Sequence, residues 1–403
     1  MKQLLRVYLV ILLITMAQGT IHVIFPPFLE ERAYIVSQIG LLSSLFAVFQ
    51  LIARIPSGVL YSARYARLVL TAGLTILGLS ALGFTAFEHT VILLVMIILN
   101  GFAFGAITTV ALALCIDAKP KDYPSGAMMG WYTSAIAAGY AIGQPVGGYL
   151  ADRFGFSAGF AGTAVLSLLA ILVIASLPGL GQSGSPPNED ISARSRHRWS
   201  LRHNFKQIPS GVLMGTVIVF FLNLMFRSVH TFFPLYALAV GISLAEIGFL
   251  RSLLSLSAAL VRPFSGRLFE VLHHRHVTHV AMVAAAAAVL LSPALVQSMS
   301  FLILLFVFMG ISRGLLRVTS ATFVAESNDQ NQGSQIGVWS GIYNAGLDIG
   351  SIAGPAVAGF VASFIGIPSM LAVIPTIALA TYVFIALVAR RRRQIIRTMA
   401  EAD

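Results

Sequence analysis

A single cysteine, Cys115, occurs in 403 residues. That excludes an internal disulfide and any metal site built from several thiolates. Charge is scarce too. Only 10 % of residues are Asp, Glu, Lys or Arg, with 15 acids against 26 Lys and Arg. No Gly-x-x-x-x-Gly-Lys phosphate loop is present, so ATP hydrolysis is not indicated. No enzyme activity and no cofactor is expected. The formal charge of +11 would raise nucleic acid as a partner for a soluble protein. Here the bases sit mostly in loops between apolar runs, so membrane orientation explains them better and nucleic acid is set aside.

Apolar residues are what the chain has in abundance. They make up 57 % of it, with mean hydropathy +0.87. A soluble core of this length could not hide so much apolar surface, so the solvent must be lipid. About 20 apolar residues cross the hydrocarbon as a helix. Twelve runs of that kind are read at 6–28, 37–61, 67–87, 90–115, 124–149, 156–178, 209–237, 244–269, 277–297, 299–325, 333–362 and 367–389. They must be helices, because unpaired backbone groups cost too much in lipid. The first run could imitate a signal peptide, but no small-residue cleavage site follows and it is read as a span. Residues 179–208 are rich in Gly, Ser, Pro and Arg and read as a polar linker.

The expected organisation is therefore a six-helix bundle (1–178), a linker (179–208), a second six-helix bundle (209–389) and a basic tail (390–403). Lys2, Arg6, Arg64, Arg67, Lys119, Lys121, the linker arginines, Arg267, Arg275 and Arg390–Arg393 fall on one side. The opposite loops carry only Arg32 and Arg153. The positive-inside rule places both termini and the linker in the cytoplasm. The protein is read as a monomer in a bacterial inner membrane, with anionic lipid in contact with its basic end.

The chain also repeats itself. Arg54-Ile55-Pro56-Ser57-Gly58-Val59-Leu60 is echoed 208 residues later by Arg262-Pro263-Phe264-Ser265-Gly266-Arg267-Leu268. His22, Phe25 and Pro26 match His230, Phe233 and Pro234 at the same offset. Gly101, Gly105 and Asp117 match Gly310, Gly314 and Glu326 at 209. Gly139, Gly143, Gly148 and Gly155 match Gly350, Gly354, Gly359 and Gly366 at 211. Five regions with little drift indicate two duplicated halves, and such units usually carry their working site where the halves meet.

With these motifs the chain resembles the major facilitator superfamily, over nearly its whole length. The family's loop after the second helix is matched by Gly58-Val59-Leu60-Tyr61-Ser62-Ala63-Arg64-Tyr65-Ala66-Arg67, with Ser62 at the usual acidic position. Gly266-Arg267-Leu268-Phe269-Glu270 keeps the acid. The resemblance implies a cytoplasmic gate. Its members would be Arg54, Gly58, Arg64, Arg67, Arg262, Gly266, Glu270 and Arg275, with Asp117 and Glu326 as partners. The bland alternative is a solvated topology signal. Gly139, Gly143, Pro145, Gly147 and Gly148 resemble the Gly/Pro-rich fifth-helix motif of proton-coupled drug antiporters, and Gly350, Gly354 and Pro355 stand at matching places in helix eleven. Close helix packing alone accounts for much of this pattern.

Ionisable groups deep in a span are expensive and point to function by default. They are His22, Arg227, His230, Arg251, Arg313, Arg317 and Asp348. One expectation pairs Asp348 with Arg313. The other makes Asp348 a protonation site, with Arg227 and Arg317 holding an anionic group in a guanidinium fork. His22 and His230 would bind substrate or carry protons, or else bond backbone freed by Pro26, Pro27 and Pro234. Phe25, Phe232, Phe233, Trp131, Tyr132, Trp339 and Tyr343 could supply aromatic walls. No metal is expected; His273–His276 with His279 reads as a basic loop. The reading is a secondary transporter, best as proton-coupled efflux of a small organic compound. An organic-anion uptake or exchange carrier and a transport-inactive sensor or scaffold remain as alternatives.

Overall fold

In the computed structural model, residues 2–59, 61–118, 125–176, 208–330 and 336–400 are described; Lys119, Lys121 and nearly all of the 179–208 linker lie outside them. Twelve helices occupy these residues, with no strand among them: α1 (Lys2–Glu31), α2 (Val36–Val59), α3 (Ala63–Ala86), α4 (Thr90–Asp117), α5 (Ser125–Phe154), α6 (Phe156–Ala175), α7 (Ser210–Ala239), α8 (Leu244–Val271), α9 (His274–Leu291), α10 (Met299–Gln330), α11 (Ile336–Ile365) and α12 (Ile367–Ala400). Eleven are long and apolar enough to cross a membrane. The exception is the Gly-rich α5, which packs against α1, α6 and α8. Two sequence expectations need correcting. His274, Arg275 and His276 are not loop residues but open α9, and α12 continues into the basic tail as far as Ala400.

The halves repeat in three dimensions. α1 packs most heavily on α5, and α7 on α11; α2 lies on α4 as α8 lies on α10. The register is copied to the residue. A Cβ added at Gly101 would lie 2.5 Å from the carbonyl oxygen of Phe46, and one at Gly310 would lie 2.5 Å from that of Leu254. Only glycine lets these backbones approach so closely. Thr20 Oγ1 donates to Met16 O and Gly143 O, while Ser228 Oγ donates to Leu224 O and Gly354 O. Even the tight turns match. The positive-φ residues among those described are Ala33 and Gly241, and Gly155 and Gly366. These are two pairs at the offsets of 208 and 211 that the sequence repeat already uses.

We call the end of the bundle where α1 begins and α12 finishes the terminal side, and the opposite end the distal side. The halves join at the distal side. One apolar core there runs from Phe25, Phe28 and Phe84 of the first half to Phe232, Phe233 and Leu250 of the second. Toward the terminal side the first half has its own core around Leu4, Leu70, Leu74 and Ile107.

Two seams complete the distal join, and they are copies. Gly40 of α2 abuts Pro355 O of α11, and Gly248 of α8 abuts Gln144 O of α5. Ser44 Oγ donates to Ile352 O at 2.7 Å, and Ser252 Oγ to Ala141 O at 2.5 Å. On the terminal side of its seam, α5 parts from α8 around a cleft lined by Gly130, Trp131, Ser134, Ala259 and Arg262.

Gly310→Leu should lower Tm and folded yield, because its side chain enters the α8 backbone; overpacking of this kind costs about 1–3 kcal/mol. A Cβ at Gly130 meets nothing within 4 Å, so Gly130→Ala should leave both unchanged. Equal effects in thermal melts of the detergent-solubilised variants would contradict this account.

Candidate functional site

Pro26 lies four residues after His22 in α1 and has no N–H to donate back to the His22 carbonyl. That freed oxygen is taken from the other half: Arg251 Nη1 of α8 donates to it at 2.7 Å. Arg251 is only 3 % exposed, so the bond brings a guanidinium to the midpoint of the join. The expectation that the histidine rings would satisfy proline-freed backbone therefore needs correction for His22. Its ring instead stacks on Tyr140, with centroids 5.9 Å apart and planes inclined by 8°, and meets the Phe46 ring edge-on.

Beside this bond lies a cavity of about 60 Å³. His22, His230, Arg227, Arg251, Gln18 and Asn100 supply its polar lining, and Phe25, Phe46 and Phe84 its aromatic wall. The duplicated histidines thus meet at one chamber. Of the aromatics singled out in the sequence, Phe25 alone lines it. Phe232 and Phe233 are buried in the apolar core, Trp339 is buried beside Val212 and Val324, Tyr132 is buried in the first half, and Tyr343 bonds Ser320. Trp131 lines the terminal cleft.

Below the chamber, Arg313 Nη1 lies 3.3 Å from His230 Nε2 and its guanidinium sits 5.5 Å from the Phe226 ring centroid. A guanidinium cannot accept a hydrogen bond. Nε2 therefore accepts and the His230 proton resides on Nδ1. Arg227, Arg313 and Arg317 lie within electrostatic reach of one another.

The expected Arg313–Asp348 pair is overturned. Asp348 is bound by Arg54, whose Nη1 lies 2.8 Å from Oδ1. The reason is geometric. α2 and α11 run antiparallel from the Gly40 contact, which brings Arg54 to the depth of Asp348, while Arg313 turns to His230 and Phe226. Arg54–Asp348 is the one carboxylate–guanidinium pair between the halves among the described residues.

Asp117, Glu326, Arg64 and Arg67 find partners within their own halves. Tyr61 donates to Asp117 at 2.5 Å. Burial first, then this carboxylate, pushes the Tyr61 phenol well above its ordinary pKa. Glu326 meets His274 Nδ1 at 3.3 Å. Arg67 Nη2 donates to Ala175 O, and Arg64 rests over the Tyr65 ring. Arg262 borders the terminal cleft. The side chains of Glu270 and Arg267 and of the tail arginines lie outside the described residues, as does any Cβ environment at Gly266. The packing residues Gly139, Gly143 and Gly147 meet α1, Gly350 and Gly354 meet α7, and Gly148 meets α8. Sequence reasoning missed Arg54 as the partner of Asp348, Tyr140 as the ring against His22, and Ser44 and Ser252. The two serines lie 208 apart, so the repeat itself was the signal that could have found them.

The profile of the Major Facilitator Superfamily matches residues 7–340 and again 216–398. The chain is 25 % identical over 338 residues to an MFS-type transporter of Methanocaldococcus jannaschii, covering 83 % of this chain and 84 % of that one. It is 27 % identical over 269 residues to a multi-drug resistance efflux pump PmrA homolog of Lactococcus lactis, covering 66 % and 64 %. With the quinolone resistance protein NorA of Staphylococcus aureus it shares 24 % over 151 residues, about two fifths of each chain. Among solved structures, the nucleoside transporter NupG superposes with TM-score 0.72 at 13 % identity, covering 96 % of this chain and 99 % of that one. A bacterial homolog of the human lysosomal transporter Spinster, in an inward-facing and unoccupied conformation, gives 0.71 at 18 %, covering 96 % and 95 %.

Arg54→Gln and Asp348→Asn should each lower Tm, and the exchanged pair Arg54→Asp/Asp348→Arg should recover most of the loss. The coupling in a double-mutant cycle should be about 0.5–1 kcal/mol, small because the Arg54 side chain is 38 % exposed. Strict additivity would remove the pair from the seam.

Proposed function

The chain belongs to the major facilitator superfamily, and from that we propose that it carries a small organic solute bearing an anionic group, outward and in exchange for protons. It is an integral membrane transporter. The observation that carries the substrate class is the charge inventory of the central site. Arg227, Arg251, Arg313 and Arg317 face one acid at that depth, Asp348, and Arg54 already holds it. A cationic solute would find no free carboxylate there among the described residues. An anionic or zwitterionic one finds guanidinium forks.

Transport runs by rocking of the halves, 1–178 and 209–389, about the chamber. The positive-inside reading makes the terminal side cytoplasmic. The present arrangement, sealed distally and parted at the α5–α8 cleft, is then the inward-facing state. A chamber of about 60 Å³ is far smaller than the roughly 300–1,000 Å³ of a typical ligand pocket. The body of the solute therefore sits lower, beside Arg313 and Arg317, with the chamber closed above it. Export is supported by the similarity to a quinolone resistance protein and to a multi-drug resistance efflux pump homolog. Proton coupling runs through Asp348: its protonation releases Arg54, frees the α2–α11 seam and lets that helix pair rock.

A second reading, proton-independent exchange of organic anions, is favoured by the shortage of acids. The two separate in one assay. In proteoliposomes with an imposed pH gradient and a panel of small carboxylates and phosphates, the wild type should move at least one anion against its own gradient. Arg227→Gln and Arg317→Gln should each weaken its apparent affinity by roughly 10- to 100-fold, the worth of about 1.5–3 kcal/mol for a hydrogen bond to a charged group. Asp348→Asn should abolish dependence on the pH gradient. Retained dependence would remove Asp348 as the coupling acid, and a wild type indifferent to the pH gradient would transfer the protein to the exchange reading. Unchanged affinity in both arginine variants would remove the anion.

A further inference from the structure

The distal chamber holds a charge that the protein does not answer. Arg251 is almost wholly buried. One of its nitrogens serves the His22 carbonyl, and its Nε has no partner. Arg227 lines the same cavity and lies within electrostatic reach of Arg251. Asp348 is engaged by Arg54 and does not line the chamber. Further unpaired donors converge there. They are Gln18 Nε2, Ser43 Oγ and His230 Nδ1, which carries the proton because Arg313 occupies Nε2. Gln18 Oε1 and Asn100 Oδ1 are unpaired acceptors of the same lining. Hydroxyls and amides can satisfy one another through solvent, but two guanidiniums in a low-dielectric pocket cannot neutralise one another.

We propose that this chamber is a binding site for one compact anion of the halide class, held between Arg251 and Arg227 as the counter-ion of the closed distal side. Size agrees with charge. About 60 Å³ admits a monatomic ion, or a lone carboxylate with little attached, and excludes a drug-sized body. The two cations of the chamber both come from the second half. The counterpart of Arg251 in the first half, 208 residues earlier, is Ser43, and that of Arg227 is Gly19. The charge that holds the anion is therefore the second half's, while both halves supply neutral donors around it. Its role follows from the Arg251–His22 bond. That bond crosses the halves, so opening the distal side must break it, and an anion on Arg251 Nε steadies the guanidinium while it holds. The ion binds the closed arrangement and stabilises it.

This inference goes beyond the transport reading and does not need it. The test uses the purified full chain in detergent at constant ionic strength, with chloride or bromide replacing gluconate. Saturable halide binding should raise Tm by about 2–4 °C, and Gln18→Leu, which removes a donor but no charge, should weaken the apparent halide affinity by several-fold. Arg251→Gln should abolish the response. Because that variant also strands the His22 carbonyl and could fail to fold, a crystal of the wild type grown in bromide supplies a second readout, an anomalous peak between Arg251 and Arg227. Formate in place of bromide distinguishes the sources. Competition between the two in the melting assay means that the cradle takes a carboxylate as readily as a halide, and supports the compact-anion site. Melting that is equal in chloride and gluconate, or bromide confined to the protein surface, overturns the proposal whatever the protein transports.

Discussion

Backbone groups and charges inside a bilayer have no water to answer them, so each must find a partner within the chain. Most of this structure follows from how that requirement is met. The twelve helices of the described residues satisfy their own backbones. Where a proline breaks the ladder, as Pro26 does for the His22 carbonyl, the partner comes from the opposite half, as Arg251. The same necessity draws Ser44 to Ile352 O and Ser252 to Ala141 O. The bonds that satisfy stray polar groups are therefore the bonds that hold the two halves together at the distal side.

The scaffold is symmetric and its chemistry is not. Glycine contacts, tight turns and seam bonds recur at fixed offsets of 208 to 211 residues. Charge does not. Arg227, Arg251, Arg313 and Arg317 stand where the first half has Gly19, Ser43, Phe104 and Thr108. Arg54 and Arg262 are copies, yet among the described residues only Arg54 faces an acid, because the counterpart of Asp348 is Ala137. One seam is consequently fastened by an ion pair toward the terminal side, while at the other Arg262 borders a cleft. Duplication provides two bundles able to rock as units, and the substitutions in the second provide something to hold.

Much of this was legible in the residues. Composition alone requires a lipid solvent, the repeat alone requires two halves, and four of the ionisable groups singled out in the spans, His22, His230, Arg227 and Arg251, line one chamber. The error was one of pairing. Asp348 was expected beside Arg313 because both lie midway along second-half helices. Depth along a helix is readable from numbering, but the azimuth that selects a neighbour is not.

Residue order was enough for the type of the elements, the duplication, and which groups would be costly in lipid. All of these depend on local periodicity and on the transfer energy of single residues. Only the tertiary structure decided the partners: Arg54 for Asp348, His230 for Arg313, the His22 carbonyl for Arg251. These pairs span up to 294 residues of chain. They depend on how glycine-mediated helix contacts rotate one face toward another, a property of the packed assembly and not of any segment within it.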